Sequence, residues 1–206
     1  MALSKEQQEQ LTPSLALKEL KEGHQRFIDG TPLTLSTSSL INQTAKAQFP
    51  KAIVVSCIDS RVPVEQIFDQ NIGDIFVARV AGNFINTDIL ASIEYACAVA
   101  QSPLVIVLGH EGCGAVSSAC DGVKLGHITE MLQAITPAIE DAQKTSSKPF
   151  NSSNASYVSS VTESNVLLNI NKITQQSQLL KERVENGQLA ICGGVYQIKD
   201  GTINWL

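Results

Sequence analysis

Residues 52–63 read AIVVSCIDSRVP. The opening run is short and β-branched, and it does not alternate with polar residues. That is the pattern of a strand buried on both faces of a parallel sheet. The run ends on Cys57, with Asp59 and Arg61 directly after it and Pro63 placed for the first turn of a helix. Residues 104–115, LVIVLGHEGCGA, repeat the plan: a buried apolar strand runs into His110, and Cys113 opens a helix, GAVSSAC.

Outward from these two stretches, strands alternate with helices. IFVARV (75–80) reads as a strand and AGN as the turn after it. TDILASIEYACAVAQ follows as a helix with Thr87 as its cap, its apolar face carried by Ile89, Ile93, Ala96 and Ala100. Near the start, Leu17, Leu20, His24 and Phe27 stand at helical spacing and Gly30 is a stop, before a Thr/Ser-rich connector over 31–50. The Ser- and Asn-rich segment 144–160 reads as a mobile loop. Ser160 and Glu163 read as a capping box for a helix that runs to Gly187. LAICGGVYQI is a further strand, and Asp200-Gly201 turns it into a closing hairpin strand, TINWL. The expected fold is α/β, with a largely parallel sheet of about four strands plus the C-terminal hairpin strand, flanked by helices. One domain is expected over 1–206, with 1–50 as a helical arm and connector and 51–206 as the core.

Composition narrows the function classes. The chain has 206 residues, 43% apolar and 17% charged, and a formal net charge of −5. It has no basic run, which argues against nucleic acid as a partner. No apolar stretch approaches the roughly 20 residues that span a bilayer, and the polar start MALSKEQQEQL lacks a signal-peptide core. A cytoplasmic location is expected. Five cysteines, an odd number, make no disulfide framework. Cys97, Cys120 and Cys192 read as packing.

In open α/β sheets, ligands gather beyond the carboxyl ends of the strands, where both Cys57 and His110 fall. Two thiolates and one imidazole suit a zinc site with its fourth position open, as catalysis requires. Cys113, at a helix start, is favoured as thiolate. Two thiolates also neutralise the ion, so a water bound there should lose its proton less readily than on a three-histidine zinc. Asp59 is placed to orient that water, and Arg61 to grip the carboxylate with two prongs and keep it off the metal. A cysteine phosphatase is a poor alternative, because Asp59 would repel phosphate from such a loop.

At these residues the chain resembles the β-class carbonic anhydrases, whose paired signature C-x-D-x-R and H-x-x-C stands here as Cys57-Ile-Asp59-Ser-Arg61 and His110-Glu-Gly-Cys113. FVARVAGN, IEYA and GGVY resemble that family too. The resemblance implies one zinc ion per subunit, held by Cys57, His110 and Cys113 with water or hydroxide as fourth ligand. It implies reversible hydration of carbon dioxide to bicarbonate and a proton, the zinc-bound hydroxide attacking carbon while the Asp59–Arg61 dyad orients it. It places Gln48, Phe76, Ala81, Tyr95 and Gly114 around the substrate, some of them serving a neighbour's zinc. It also implies a homodimer or homotetramer embraced by N-terminal helices. Val54 stands where some members carry a tryptophan for a second, inhibitory bicarbonate, so that site is not expected, although Arg79 and Tyr196 match its other residues. The ligand set leaves open hydrolysis of carbonyl sulfide or carbon disulfide on the same scaffold. A non-catalytic zinc protein is the remaining rival, and it lacks the fourth ligand that a structural site would have.

Overall fold

Five strands, β1 (Ala52–Ser56), β2 (Ile75–Arg79), β3 (Leu104–His110), β4 (Ala190–Tyr196) and β5 (Ile203–Trp205), form one sheet in the order β2-β1-β3-β4-β5. The structure is a computed structural model and describes residues 2–33 and 36–206. The first four strands are parallel and β5 closes antiparallel on β4, as the sequence predicts. The unalternating runs in β1 and β3 are buried throughout, because both faces of the sheet are covered. Ile53, Val55, Val105 and Val107 meet one layer of helices, while Val54, Ile106 and Leu108 meet the other.

The helices are α1 (Lys5–Glu9), α2 (Pro13–Ile28), α3 (Thr37–Thr44), α4 (Val64–Ile67) and α5 (Thr87–Glu94), which runs into a π-helical turn at Tyr95–Val99. After β3 come α6 (Gly114–Cys120), α7 (Ile128–Gln133), α8 (Thr136–Ala142), α9 (Ala155–Gln176) and α10 (Gln178–Glu185). Helix α9 lies close against β3 and β4 because each strand has a glycine beneath it. A Cβ on Gly193 would stand 2.6 Å from Val166 Cγ1, and one on Gly109 would stand 2.7 Å from Val166 Cγ2. No helix among the described residues is long and apolar enough to cross a membrane.

The structure corrects several boundaries. Asn86, not Thr87, caps α5, its side chain accepting the Ile89 N–H. Pro63 is the cap residue of α4 rather than part of its first turn. Ser160 and Glu163 do not start a helix; Ser160 lies inside α9 and donates to the Ser156 carbonyl. The cap is Asn154, which accepts the Tyr157 N–H at 3.1 Å. The loop ahead of it is pinned by Asp121, which accepts from the N–H and hydroxyl of Ser152. The single helix expected up to Gly187 is two, divided at Ser177, whose hydroxyl donates to Glu94 and accepts from the Leu180 N–H. The connector over 31–50 contains α3, and its residues 34 and 35 lie outside the described residues.

Candidate metal centre

Strand β1 has β2 on one side and β3 on the other, so the chain reverses its winding at β1, and a crevice opens at the carboxyl ends of β1 and β3. Ser56 pairs in register with Leu108. Cys57, one step beyond β1, therefore comes level with the end of β3, where His110 is the last strand residue. Cys113 follows at the cap position of α6. All three side chains are buried, and their ligand atoms lie within 4.8 Å of one another. The two sulfurs are 3.9 Å apart. Two sulfurs each about 2.3 Å from a tetrahedral zinc would stand roughly 3.8 Å apart.

The histidine completes the group. Its Nδ1 lies 3.0 Å from the Glu111 carbonyl oxygen. A carbonyl can only accept, so Nδ1 carries the proton and Nε2 presents a lone pair. Nε2 is buried and has no hydrogen-bond partner among the described residues. A buried polar atom without a partner is costly, and a metal ion is the partner that this donor set fits. The thiols differ in acidity: the hydrogen bond from Cys113 pushes Cys57 well below the ordinary thiol value, and the same bond pushes Cys113 up. Elsewhere, burial pushes Cys97 up to about 12 and Cys120 and Cys192 up to about 11, which favours the protonated thiol at all three.

Asp59 stands at the mouth of the cluster, Oδ2 being 3.8 Å from His110 Nε2. Arg61 grips it on both oxygens: Nε donates to Oδ1 at 3.0 Å and Nη2 to Oδ2 at 2.8 Å. The Arg61 backbone N–H donates to Oδ1 as well, at 2.9 Å. The side-chain bonds from Arg61 hold the Asp59 carboxyl far below the usual carboxylate range. Arg79 fixes the backbone beneath, donating to the carbonyls of Cys57 at 2.8 Å and Asp59 at 2.7 Å. The Gly82 N–H reaches Cys57 Sγ at 3.4 Å. The structural use of Arg79 and Gly82 is invisible to sequence reading, although both lie in the FVARVAGN stretch.

The profile of the carbonic anhydrase family matches residues 52–203, which include every residue of the cluster and the dyad. Carbonic anhydrase 2 of Mycobacterium tuberculosis is 36% identical over 195 residues, covering 92% of this chain and 90% of that one. The solved β-carbonic anhydrase CcaA aligns with a TM-score of 0.71 at 27% identity, covering 91% of this chain and 93% of that one. The chain belongs to the β-class carbonic anhydrases. The β-carbonic anhydrase CafA of Aspergillus fumigatus gives the same TM-score at 26% identity, covering 94% and 89% of the two chains.

The remaining residues expected around the substrate divide into two groups. Ala81 precedes Gly82 in the turn beside Cys57, and Gly114 follows Cys113, where a Cβ would meet nothing within 4 Å. Phe76 instead pairs with Ile53 at the start of β1, and Tyr95 packs edge-on against Phe76. Gln48 precedes β1 altogether. Within one chain these three lie toward the amino ends of the strands, away from Cys57. Of the other residues weighed from sequence, His24 is buried with Nδ1 on the Ile67 carbonyl, a packing role. Tyr196 is a buried residue of β4 in register with His110.

Proposed function

We propose that Cys57, His110 through Nε2 and Cys113 hold one zinc ion, and that the chain uses it to convert carbon dioxide and water reversibly to bicarbonate and a proton. The unpartnered, buried Nε2 of His110, beside two sulfurs at zinc-like separation, is the observation that carries this reading. Bound there, the metal supplies a Lewis acid, softened by two thiolates, that lowers the pKa of water enough to yield a nucleophile.

The dyad does the orienting. Arg61 keeps Asp59 ionised, so its oxygens only accept. An attacking water or hydroxide must then turn a hydrogen toward Asp59, which leaves a lone pair for the carbon. The same ion pair makes Asp59 a poor base, so the released proton passes to solvent or buffer rather than resting on the carboxylate. Ala81 and Gly114 supply small walls that leave room for a linear, apolar substrate.

We further infer that Gln48, Phe76 and Tyr95 serve the site of a partner copy in a homodimer or homotetramer. In support, β2 is an edge strand, Tyr95 packs against its Phe76, and Tyr95 and Val99, in the same π-helical turn, expose 56% and 66% of their surface. An uncovered apolar edge invites pairing.

Metal analysis of single variants tests the ligand set. Cys57→Ala, His110→Ala and Cys113→Ala are each expected to lose stoichiometric zinc. A folded variant that keeps one zinc per chain would remove that residue from the set.

A further inference from the structure

Helix α9 holds the turn that faces Cys57. Gly82 is bonded through both of its backbone polar groups: its N–H donates to Cys57 Sγ, and its carbonyl accepts from Asn165 Nδ2 at 2.9 Å. Asn169 Nδ2 donates to Asn165 Oδ1 at 3.0 Å, which fixes the orientation of the Asn165 amide and aims its own Nδ2 at Gly82. Asn169 Oδ1 accepts the Ile85 N–H at 2.7 Å, and Lys172 Nζ donates to the Ile85 carbonyl at 2.7 Å. Residues 165, 169 and 172 fall on one helical face, so three side chains bind both ends of the turn.

Packing alone does not ask for this face. Asn165 and Asn169 are 2% and 4% exposed, and buried amides are unfavourable unless bonded. Their bonds run to a turn that donates to a ligand sulfur. The turn has little freedom of its own. Gly82 has φ +82°, and a Cβ there would stand 2.9 Å from Ile135 Cδ1, so the position requires glycine.

We propose that Asn165, oriented by Asn169, is a positioning residue for Cys57: by holding the Gly82 carbonyl it fixes the backbone of Gly82 so that the Gly82 N–H stays on the ligand sulfur. The proposal rests on the reading of Cys57 as a metal ligand. A sulfur that accepts this bond is fixed in direction and gives less charge to the metal, so Asn165 acts on the site from α9 without touching ligand or substrate.

Cobalt(II) loaded in place of zinc tests this through its thiolate charge-transfer absorption, which reports how strongly sulfur donates charge. Asn165→Ala is expected to move that band to longer wavelength and to weaken metal affinity about ten-fold in a chelator competition. Val166→Ala, which removes neighbouring packing on the same helix, is expected to lower stability and leave the band in place. Should Asn165→Ala fail to fold, Asn165→Ser gives the same reading, since its hydroxyl is too short to reach Gly82 and can bond within the helix. A folded Asn165 variant with the wild-type band and affinity would overturn the proposal. A wild-type protein whose cobalt form has no thiolate band would instead overturn Cys57 as a ligand, and the proposal with it.

Discussion

In the proposed mechanism Asp59 orients the nucleophile, and its charge has a definite pH range. The bonds from Arg61 depress its folded-state pKa below the unfolded value of about 4. The stabilisation from the pair is therefore complete above about pH 4 and is lost only as the pH falls further. Across the neutral range Asp59 stays ionised, so it cannot be the group that titrates with activity there. Hydration should rise from mildly acid to alkaline pH, and the rise should persist in Asp59→Asn on top of a rate lowered about 100-fold, with zinc retained. Stopped-flow rates across pH check this, and an undiminished rate in the variant would contradict the orienting role. Asp59 and Arg61 were legible in the sequence because they sit two positions apart at a strand end. The bond from Gly82 to Cys57 crosses 25 positions, and that from Asn165 to Gly82 crosses 83. A single chain read along its length gives no signal for such pairs beyond two asparagines, four residues apart, on a helix.

Among the elements, α9 against the sheet is the contact that is tightest and most open to test. A methyl group at Gly193 would meet Val166 Cγ1 at 2.6 Å, Ile170 Cδ1 at 2.8 Å and the Val107 carbonyl oxygen at 2.8 Å. Gly193→Ala should destabilise the fold by about 2 kcal/mol, a fall of about 6 °C in Tm. Adding Val166→Ala should recover only part of the loss, because Val107 offers backbone that cannot withdraw. Thermal unfolding of the single and double variants decides this, and an unshifted Gly193→Ala would contradict the close approach. The strands were readable from their unalternating runs, since burial on both faces leaves that mark directly in composition. The start of α9 was not. The Ser160–Glu163 pattern is as good a capping box as any, but the contact of Asp121 with Ser152 sets the start of the helix at Asn154. The break at Ser177 likewise depends on Glu94, which is remote in sequence. The short helices α7 and α8 lack a long periodic face to announce them.

For the molecule as a whole, one chain assembles the Cys57–His110–Cys113 cluster and the dyad but leaves Gln48, Phe76 and Tyr95 toward the opposite end of the strands. Sequence could list these residues by likeness but could not say which copy they serve, because that depends on a surface between chains. If β2 and the Tyr95–Val99 turn form that surface, the protein sediments as a dimer or larger. Val99→Glu should then shift it toward monomer, because an unpaired carboxylate is costly in an apolar interface. Hydration should fall with the dimer while zinc per chain is kept. A monomer with full activity, measured by sedimentation and stopped flow on the same sample, would contradict the shared site.

The central claim is that Cys57, His110 and Cys113 hold the metal that hydrates carbon dioxide. It is tested most directly by stopped-flow hydration at mildly alkaline pH on protein of known zinc content, with Cys57→Ala as control. A rate that rises in proportion to zinc per chain and vanishes in the control is the predicted result. Fully zinc-loaded protein without hydration, or a Cys57→Ala protein as active as the wild type, would contradict it.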